Sequence, residues 1–382
     1  MAREGAFWFS QLFGFKEPRS YAEAQQRLLE LTSGPAEDAL LAGKRVGEWH
    51  FESLSCLRTE ALQCAEASGL MGLPLMLANV NGDVRALHAD PANEGAMFQA
   101  ASQLNCLEMR HSGCTPEDGV TCYWQDSTQG PACALACGAA CAFRNYLVPV
   151  GKGQVGQTAQ HQLDSTQDLR QLLSPDGGEP LWWAKNGYAE SSATLLEHAN
   201  EKLAAMADDE LSKARDSIRI GVHFDCEVTR AGHLVAQAFC GAIPVGRSAV
   251  KDTKLWQPLA ELVLEAVYEA TLWSHVLYTA RFRAAKALPP RPLYLTQVGG
   301  GVFGNEDSWI CNAIGRACSA VRDHSIGLDI RVVHFGGGTP LPYSMLERRC
   351  RQVAARRAAG ESSSDAAVRV STEHGPRSIE RA

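Results

Sequence analysis

One segment constrains this chain more than any other: Leu293 to Cys318, LYLTQVGGGVFGNEDSWICNAIGRAC. An apolar run enters a cluster of glycines and leaves with helical spacing. That order demands a strand delivering the chain to a helix start, the basic unit of a layered α/β fold. Helix N-termini carry unsatisfied N–H groups and a positive dipole end, so bare backbone at such a turn is suited to an anion.

The rest of the chain alternates in the same way. Residues 73–80, LPLMLANV, read as a buried strand ending at Asn-Gly-Asp, with GDVRALH continuing it. Residues 96–109, AMFQAASQLNCLEM, read as a strand then a turn, and SIRIGVHFDCEVT, 217–229, as a strand. Residues 192–215 carry helical periodicity through Leu195, Leu196, Leu203, Met206 and Leu211. A long amphipathic helix begins at Leu259 and stops before Pro289-Pro290, and LDIRVVHFGGG forms a last strand. Residues 1–70 read as a helical extension with Ser20 as an N-cap and Gly34 as a stop. The main domain runs over 71–350 with a loop-rich insert at about 151–215, and 351–382 is expected to be a disordered tail rich in Arg, Ala, Ser and Glu.

Bulk properties narrow the function. The 382 residues include 45% hydrophobic and 21% charged residues, with net charge −7. That balance suits a soluble globular protein and argues against a surface that coats nucleic acid. No apolar run approaches the length of a membrane span. The 13 cysteines lack zinc-site spacing and read as free thiols in a reducing, cytoplasmic compartment. Cys133, Cys137 and Cys141 lie on one helical stripe among Ala and Gly, which favours close packing over a metal site. No metal or cofactor is expected.

Gly299, Gly301 and Gly304 match G-x-G-x-x-G. A second small-residue turn, STQGPACALACGAACAF from Ser127, also passes into a helix. Two such turns at strand ends would make a cleft for a diphosphate. A nicotinamide-dependent oxidoreductase is the less favoured reading. The motif lies late in the chain, and the next strand ends in glycines where an acidic ribose-binding residue is wanted.

Three acidic clusters are candidates for chemistry. Asp225 and Glu227 are two apart on a strand and share a face with His223; side-by-side acids suit a general acid or base. Their structural alternative is pairing with Arg219 or Arg230. Asp126 and Gln129 precede the Ser127 turn's helix, where an Asp turn or cap is the alternative. Asn305, Glu306 and Asp307 enter the later helix, with Asp307 or Ser308 as a cap. Trp182, Trp183, Asn186 and Tyr188 form an aromatic loop that either covers a cleft or packs into the core.

These motifs together resemble the macrodomain superfamily. YLTQVGGGVFGNEDSW resembles its second phosphate loop, VNGDVRALHAD its first strand end, FQAASQLN its Asn-Ala-Ala-Asn segment, and TQGPACALACGAACAF its first phosphate loop. Length and insert are more similar to the poly(ADP-ribose) glycohydrolase side, or to the divergent MavL-type hydrolases, although the Gln-Glu-Glu signature is missing. The resemblance implies a three-layer α/β/α mixed sheet binding ADP-ribose. Asp83 would read adenine beside Val84. Ser102 and Gln103 would face the distal ribose. Gln129, Gly130, Pro131 and Ala132, with Gly299, Gly300, Gly301, Val302, Phe303, Gly304 and Asn305, would hold the diphosphate. The implied activity is hydrolysis of ADP-ribose from modified proteins at the distal anomeric carbon, through Asp225, Glu227 or Asp126. Ubiquitin is one candidate partner. A non-catalytic ADP-ribose reader is the alternative.

Overall fold

A computed structural model describes residues 7–34, 39–174, 179–286 and 289–358. The N-terminal part supplies α1 (Trp8–Phe13), α2 (Tyr21–Glu30), the short strands β1 (Thr32–Ser33), β2 (Leu40–Leu41) and β3 (Lys44–Arg45), then β4 (Glu48–Ser53), α3 (Leu54–Gln63) and α4 (Ala65–Ser68). Ser20 caps α2 by accepting from the Glu23 N–H. There follow β5 (Met76–Asn81), α5 (Val84–Ala89), β6 (Met97–Ser102), α6 (Gln129–Ala136) and α7 (Gly138–Tyr146). The insert holds α8 (Gln167–Leu173), the hairpin β7 (Trp183–Lys185) and β8 (Tyr188–Glu190), α9 (Ala193–Ala205) and α10 (Asp208–Asp216). The chain closes with β9 (Arg219–Glu227), β10 (Leu234–Gly241), α11 (Thr253–Lys286), β11 (Leu293–Leu295), α12 (Asp307–Asp323), β12 (Asp329–His334) and α13 (Leu341–Ala358).

Seven strands form the central sheet in the order β4-β9-β10-β6-β11-β12-β5. From β10 to β5 every neighbouring pair is parallel, while β9 runs antiparallel to both β4 and β10. Period-two alternation distributes the strands' side chains between two cores. Met97, Ala236, Ala238, Leu293 and Ile330 pack with Trp256, Leu264 and Trp273 of α11 on one face. Phe98, Val235, Phe239 and Tyr294 pack with Val84, Ala132 and Cys133 on the other. The result is the three-layer α/β/α mixed sheet. Among the described residues no helix is long and apolar enough to cross a membrane.

Several local expectations need correction. GDVRALH does not extend β5. Asp83 is extended and its side chain accepts from the Arg85 N–H at 2.8 Å, which opens α5 instead. WWAKNGY is a hairpin rather than a loop, because Asn186 and Gly187 take φ of 49° and 75°, the pair of positive values a two-residue turn requires. The cysteine stripe is broken: α6 ends at Cys137 with ψ of 70°, and Cys141 joins a different core from Cys133 and Cys137. The long helix starts at Thr253, ahead of Pro258, which falls within its first two turns. Strand β10, at the heart of the sheet, has no counterpart in the sequence reading. Helix α13 reaches Ala358, into the expected tail; the remainder of that tail and residues 175–178 of the SPDGGEP loop lie outside the described residues.

Candidate functional site

Parallel strands place the turns that follow them at one end of the sheet. Here those turns follow Asn81, His334, Leu295, Ser102 and Gly241. Between β6 and β11 the sheet splits. Their register holds only Leu293↔Met97 and Tyr294↔Phe98, whereas β10 follows β6 all the way to Gly241↔Ser102. Two glutamines satisfy the backbone that the split exposes. Gln99 Oε1 accepts from the Thr296 N–H at 3.3 Å. Gln129 donates to the Gln99 carbonyl at 2.8 Å and accepts from the Ala101 N–H at 2.9 Å. A crevice between strands whose connections leave in opposite directions is the usual ligand position of an open α/β sheet.

Both small-residue turns reach this crevice. The start of α6 is pressed onto β6 so closely that a Cβ on Gly130 would stand 2.0 Å from the Ala101 carbonyl oxygen. Gly130 is therefore glycine because helix and strand touch. Thr128, the N-cap, makes no side-chain cap, and among the described residues the Gln129 and Gly130 amides have no hydrogen-bond partner, although Gly130 is buried. Pro131 has no N–H, Ala132 is buried, and its N–H is committed to the Thr128 carbonyl at 3.2 Å. On the other wall, Gly299 and Gly304 adopt φ of 77° and 71°. Gly300 sits over Ile310, Phe303 is partly buried, and Val302 and Gly301 face solvent. No heavy atom lies within 4 Å of where a Gly301 Cβ would stand. Glu306, the N-cap of α12, likewise makes no side-chain cap.

A third turn completes the rim, and the sequence reading missed it. Val245–Arg247 follows β10; Gly246 donates to the Phe303 carbonyl at 2.8 Å. From the hairpin, Tyr188 packs its ring on Phe303 with centroids 5.4 Å apart and donates to the Met109 carbonyl. Burial pushes the Tyr188 hydroxyl up to about 12, with the Arg247 charge opposing that rise and the Asp126 charge adding to it. Tyr188 thus packs the hairpin against the glycine loop and anchors it to the Met109 backbone. Trp182 instead lies fully buried in the core, and Asn186 binds the Ser112 carbonyl and accepts from Gln162.

Asp126 stands half-exposed just before α6, its Oδ1 accepting from the Thr128 N–H and hydroxyl at 2.8 and 2.6 Å. Among the described residues its Oδ2 has no partner. Asp83 is exposed at the end of β5, where the Gly82 N–H meets the His334 carbonyl and Phe335 is 76% exposed. Beneath α6 lies a fully buried ion pair, Arg144 with Glu108 at 3.0 Å; burial pushes the Glu108 carboxyl up to about 7 against the pull of Arg144.

The other expected site residues serve the framework. Asp225 and Glu227 sit at the far end of the sheet, because β9 is antiparallel and Glu227 pairs with Leu234 at the start of β10. A bulge puts Asp225 at φ 55°; it accepts from Tyr278 at 3.0 Å and lies 3.8 Å from Arg45. Glu227 binds Lys44 at 2.6 Å and the Arg45 N–H at 3.0 Å, so the partners are not Arg219 or Arg230. His223 is buried beside Arg144's charge and held down to about 3 by burial. Both amide atoms of Gln103 are spent on Met109, and those of Gln129 on β6. Ser102 is buried and donates to the Gln103 carbonyl. Asn305 clamps the glycine loop through the Ile243 and Gly299 carbonyls rather than facing a ligand. Val84 packs in the core, which leaves only its backbone for recognition.

No family model matches the chain, and no curated protein matches it. Solved structures do, at low identity. One is poly(ADP-ribose) glycohydrolase from Deinococcus radiodurans in complex with ADP-ribose, at 9% identity and TM-score 0.35, covering 80% of this chain and 94% of that chain. Another is poly(ADP-ribose) glycohydrolase from Thermomonospora curvata, at 13% identity and TM-score 0.34, covering 86% and 97%. The same enzyme bound to the inhibitor ADP-HPD matches at 12% identity and TM-score 0.33, with the same coverage. Likeness this distant assigns no residue a role.

Proposed function

We propose that this chain binds ADP-ribose across the ends of β5, β12, β11 and β6 and hydrolyses its bond to a modified protein. The observation that carries this reading is that one small-residue turn packs on the end of β6 and the other follows β11, the two strands that part at the split. From β5 to β6 there are three inter-strand steps, roughly 14 Å, a span that suits a dinucleotide lying across the strand ends. Asp83 and the exposed Phe335 would take adenine, the carboxylate by hydrogen bond and the ring by stacking. The amides of Gln129 and Gly130 and those of Gly299, Gly301, Val302 and Phe303 would hold the diphosphate, the Gly300 and Gly304 N–H groups being spent on the Gln297 and Gly301 carbonyls. The distal ribose then falls beside Asp126. There Asp126 would accept a proton from the attacking water as that oxygen bonds the anomeric carbon; the bond to the acceptor breaks with its electron pair going to the acceptor atom, which takes up a proton from Asp126 or solvent.

Asp126→Asn should lower release of ADP-ribose from a mono-ADP-ribosylated protein by about 100-fold or more, with ADP-ribose affinity by calorimetry retained. Asp225→Ala and Glu227→Ala should leave turnover unchanged. Wild-type turnover by Asp126→Asn would refute the catalytic assignment, and binding of NAD in preference to ADP-ribose would refute the site. A reader without turnover is the second reading. It gains support because Asp126 alone of the three expected carboxylates stands at the cleft, where glycosidic cleavage commonly uses two.

A further inference from the structure

The rim turn after β10 carries a cation, the exposed Arg247, that has no carboxylate partner among the described residues. Arg58 pairs with Asp216 and Glu269, Arg170 with Asp164 and Arg219 with Asp168; Arg247 shares its lack of a carboxylate with Arg85 and Arg230 and differs from them in standing at the rim of the cleft. The backbone before Arg247 touches the outer wall of the glycine loop. Besides the Gly246–Phe303 hydrogen bond, a Cβ on Gly246 would stand 3.4 Å from Gly304 Cα and 3.4 Å from the Val302 carbonyl oxygen. A guanidinium left free beside a loop of bare amides adds mobile charge where the amides supply fixed dipoles. Its planar fork matches two phosphate oxygens.

We propose that Arg247 closes over the diphosphate held by the glycine loop and makes the cleft selective for a nucleoside diphosphate over its uncharged nucleoside. This rests on the ADP-ribose reading and adds a positioning residue to it. An anion on the acceptor protein is the competing source of the same chemistry, and the ligand series separates the two. ADP carries the diphosphate without the distal ribose; adenosine carries neither.

The test is calorimetry of ADP-ribose, ADP and adenosine with the wild type, Arg247→Ala and Arg247→Lys. Arg247→Ala should weaken ADP-ribose and ADP alike by about tenfold and leave adenosine unchanged. Arg247→Lys should fall between, and the gap should narrow as salt rises. Unchanged thermal melting shows that the variants fold. Equal ADP-ribose affinity in wild type and Arg247→Ala overturns the proposal. So does a loss confined to ADP-ribose, which would move the cation to the ribose or acceptor side, or a loss shared by adenosine. If the wild type binds no ADP-ribose, the site reading itself fails, before the arginine is tested.

Discussion

Gly301→Glu separates binding from folding more cleanly than any other change at the cleft. Gly301 does not occupy the left-handed region, and an added Cβ meets nothing within 4 Å. A side chain there costs the fold little, within about 0.5 kcal/mol as for ordinary surface substitutions. On the proposed site, it would project toward the diphosphate. A carboxylate about 4 Å from a phosphoryl charge, at an effective dielectric constant of about 20, is repelled by about 4 kcal/mol. Salt and side-chain rotation reduce that figure, and a loss of at least about 100-fold in ADP-ribose affinity remains. Gly301→Ala is the control and should bind nearly as the wild type does. Gly299→Ala behaves differently, because φ is 77° and its Cβ would stand 2.6 Å from that of Ala242; it should lose stability first. Calorimetry at 0.15 M salt, paired with urea denaturation, reads both quantities. A Gly301→Glu protein that folds normally and binds ADP-ribose undiminished would show that these amides do not hold the diphosphate.

Other expectations follow from contacts around the crevice. Gly130→Ala forces a methyl against the Ala101 carbonyl and should cost about 1–3 kcal/mol in urea denaturation; an unchanged midpoint would contradict the close helix–strand contact. Gln129→Leu strands the Gln99 carbonyl and Ala101 N–H and should cost about 1–3 kcal/mol, with faster exchange of the Ala101 amide as its signature. Burial holds His88, His223 and His275 down to about 4, 3 and 4. Each is neutral in the folded chain and gains a proton on unfolding, so their contribution is complete above about pH 6.5 and is lost as pH falls toward 4. Glu108, pushed up to about 7, acts oppositely, favouring the fold below its unfolded value near 4.5 and losing that contribution as pH rises toward 7. Burial also holds His334 down and pushes Glu265 up; with four imidazoles against two carboxyls, denaturation midpoints at pH 7.5, 6 and 5 should decline, and a rise would refute the balance.

Much of the layered fold was legible because its signals are local. Glycines between an apolar run and a helical run mark β11 and α12, and Asn-Gly-Asp marks the end of β5. Strand β10 escaped because LVAQAFCG is buried on both faces and lacks the alternation by which a half-exposed strand declares itself. Asp225 and Glu227 share a strand, as expected, yet whether that strand brings them to the cleft depends on its direction. Direction is set by the hairpin-like return from β9 to β10, a pairing invisible from either strand alone. The lysine and arginine that neutralise the two acids come from β3, 180 or more positions away in the chain.

The glutamines show the same limit from the other side. Gln103, Gln129 and the amide of Asn305 read as ligand groups because polar residues beside glycine turns usually are. In the folded chain Gln129 replaces backbone hydrogen bonds that the split removes from β6, Gln103 holds the Met109 backbone, and Asn305 donates to the Ile243 and Gly299 carbonyls. An open split in a parallel sheet leaves ladder groups without partners, and such groups are expensive unless satisfied. Side-chain amides, with a donor and an acceptor apiece, can substitute for a missing strand neighbour without closing the gap. Polar residues that cluster at a binding crevice therefore divide into those that hold it open and those that remain free. By that criterion the groups left for a ligand are the amides of the two turns, Asp83, Asp126 and Arg247.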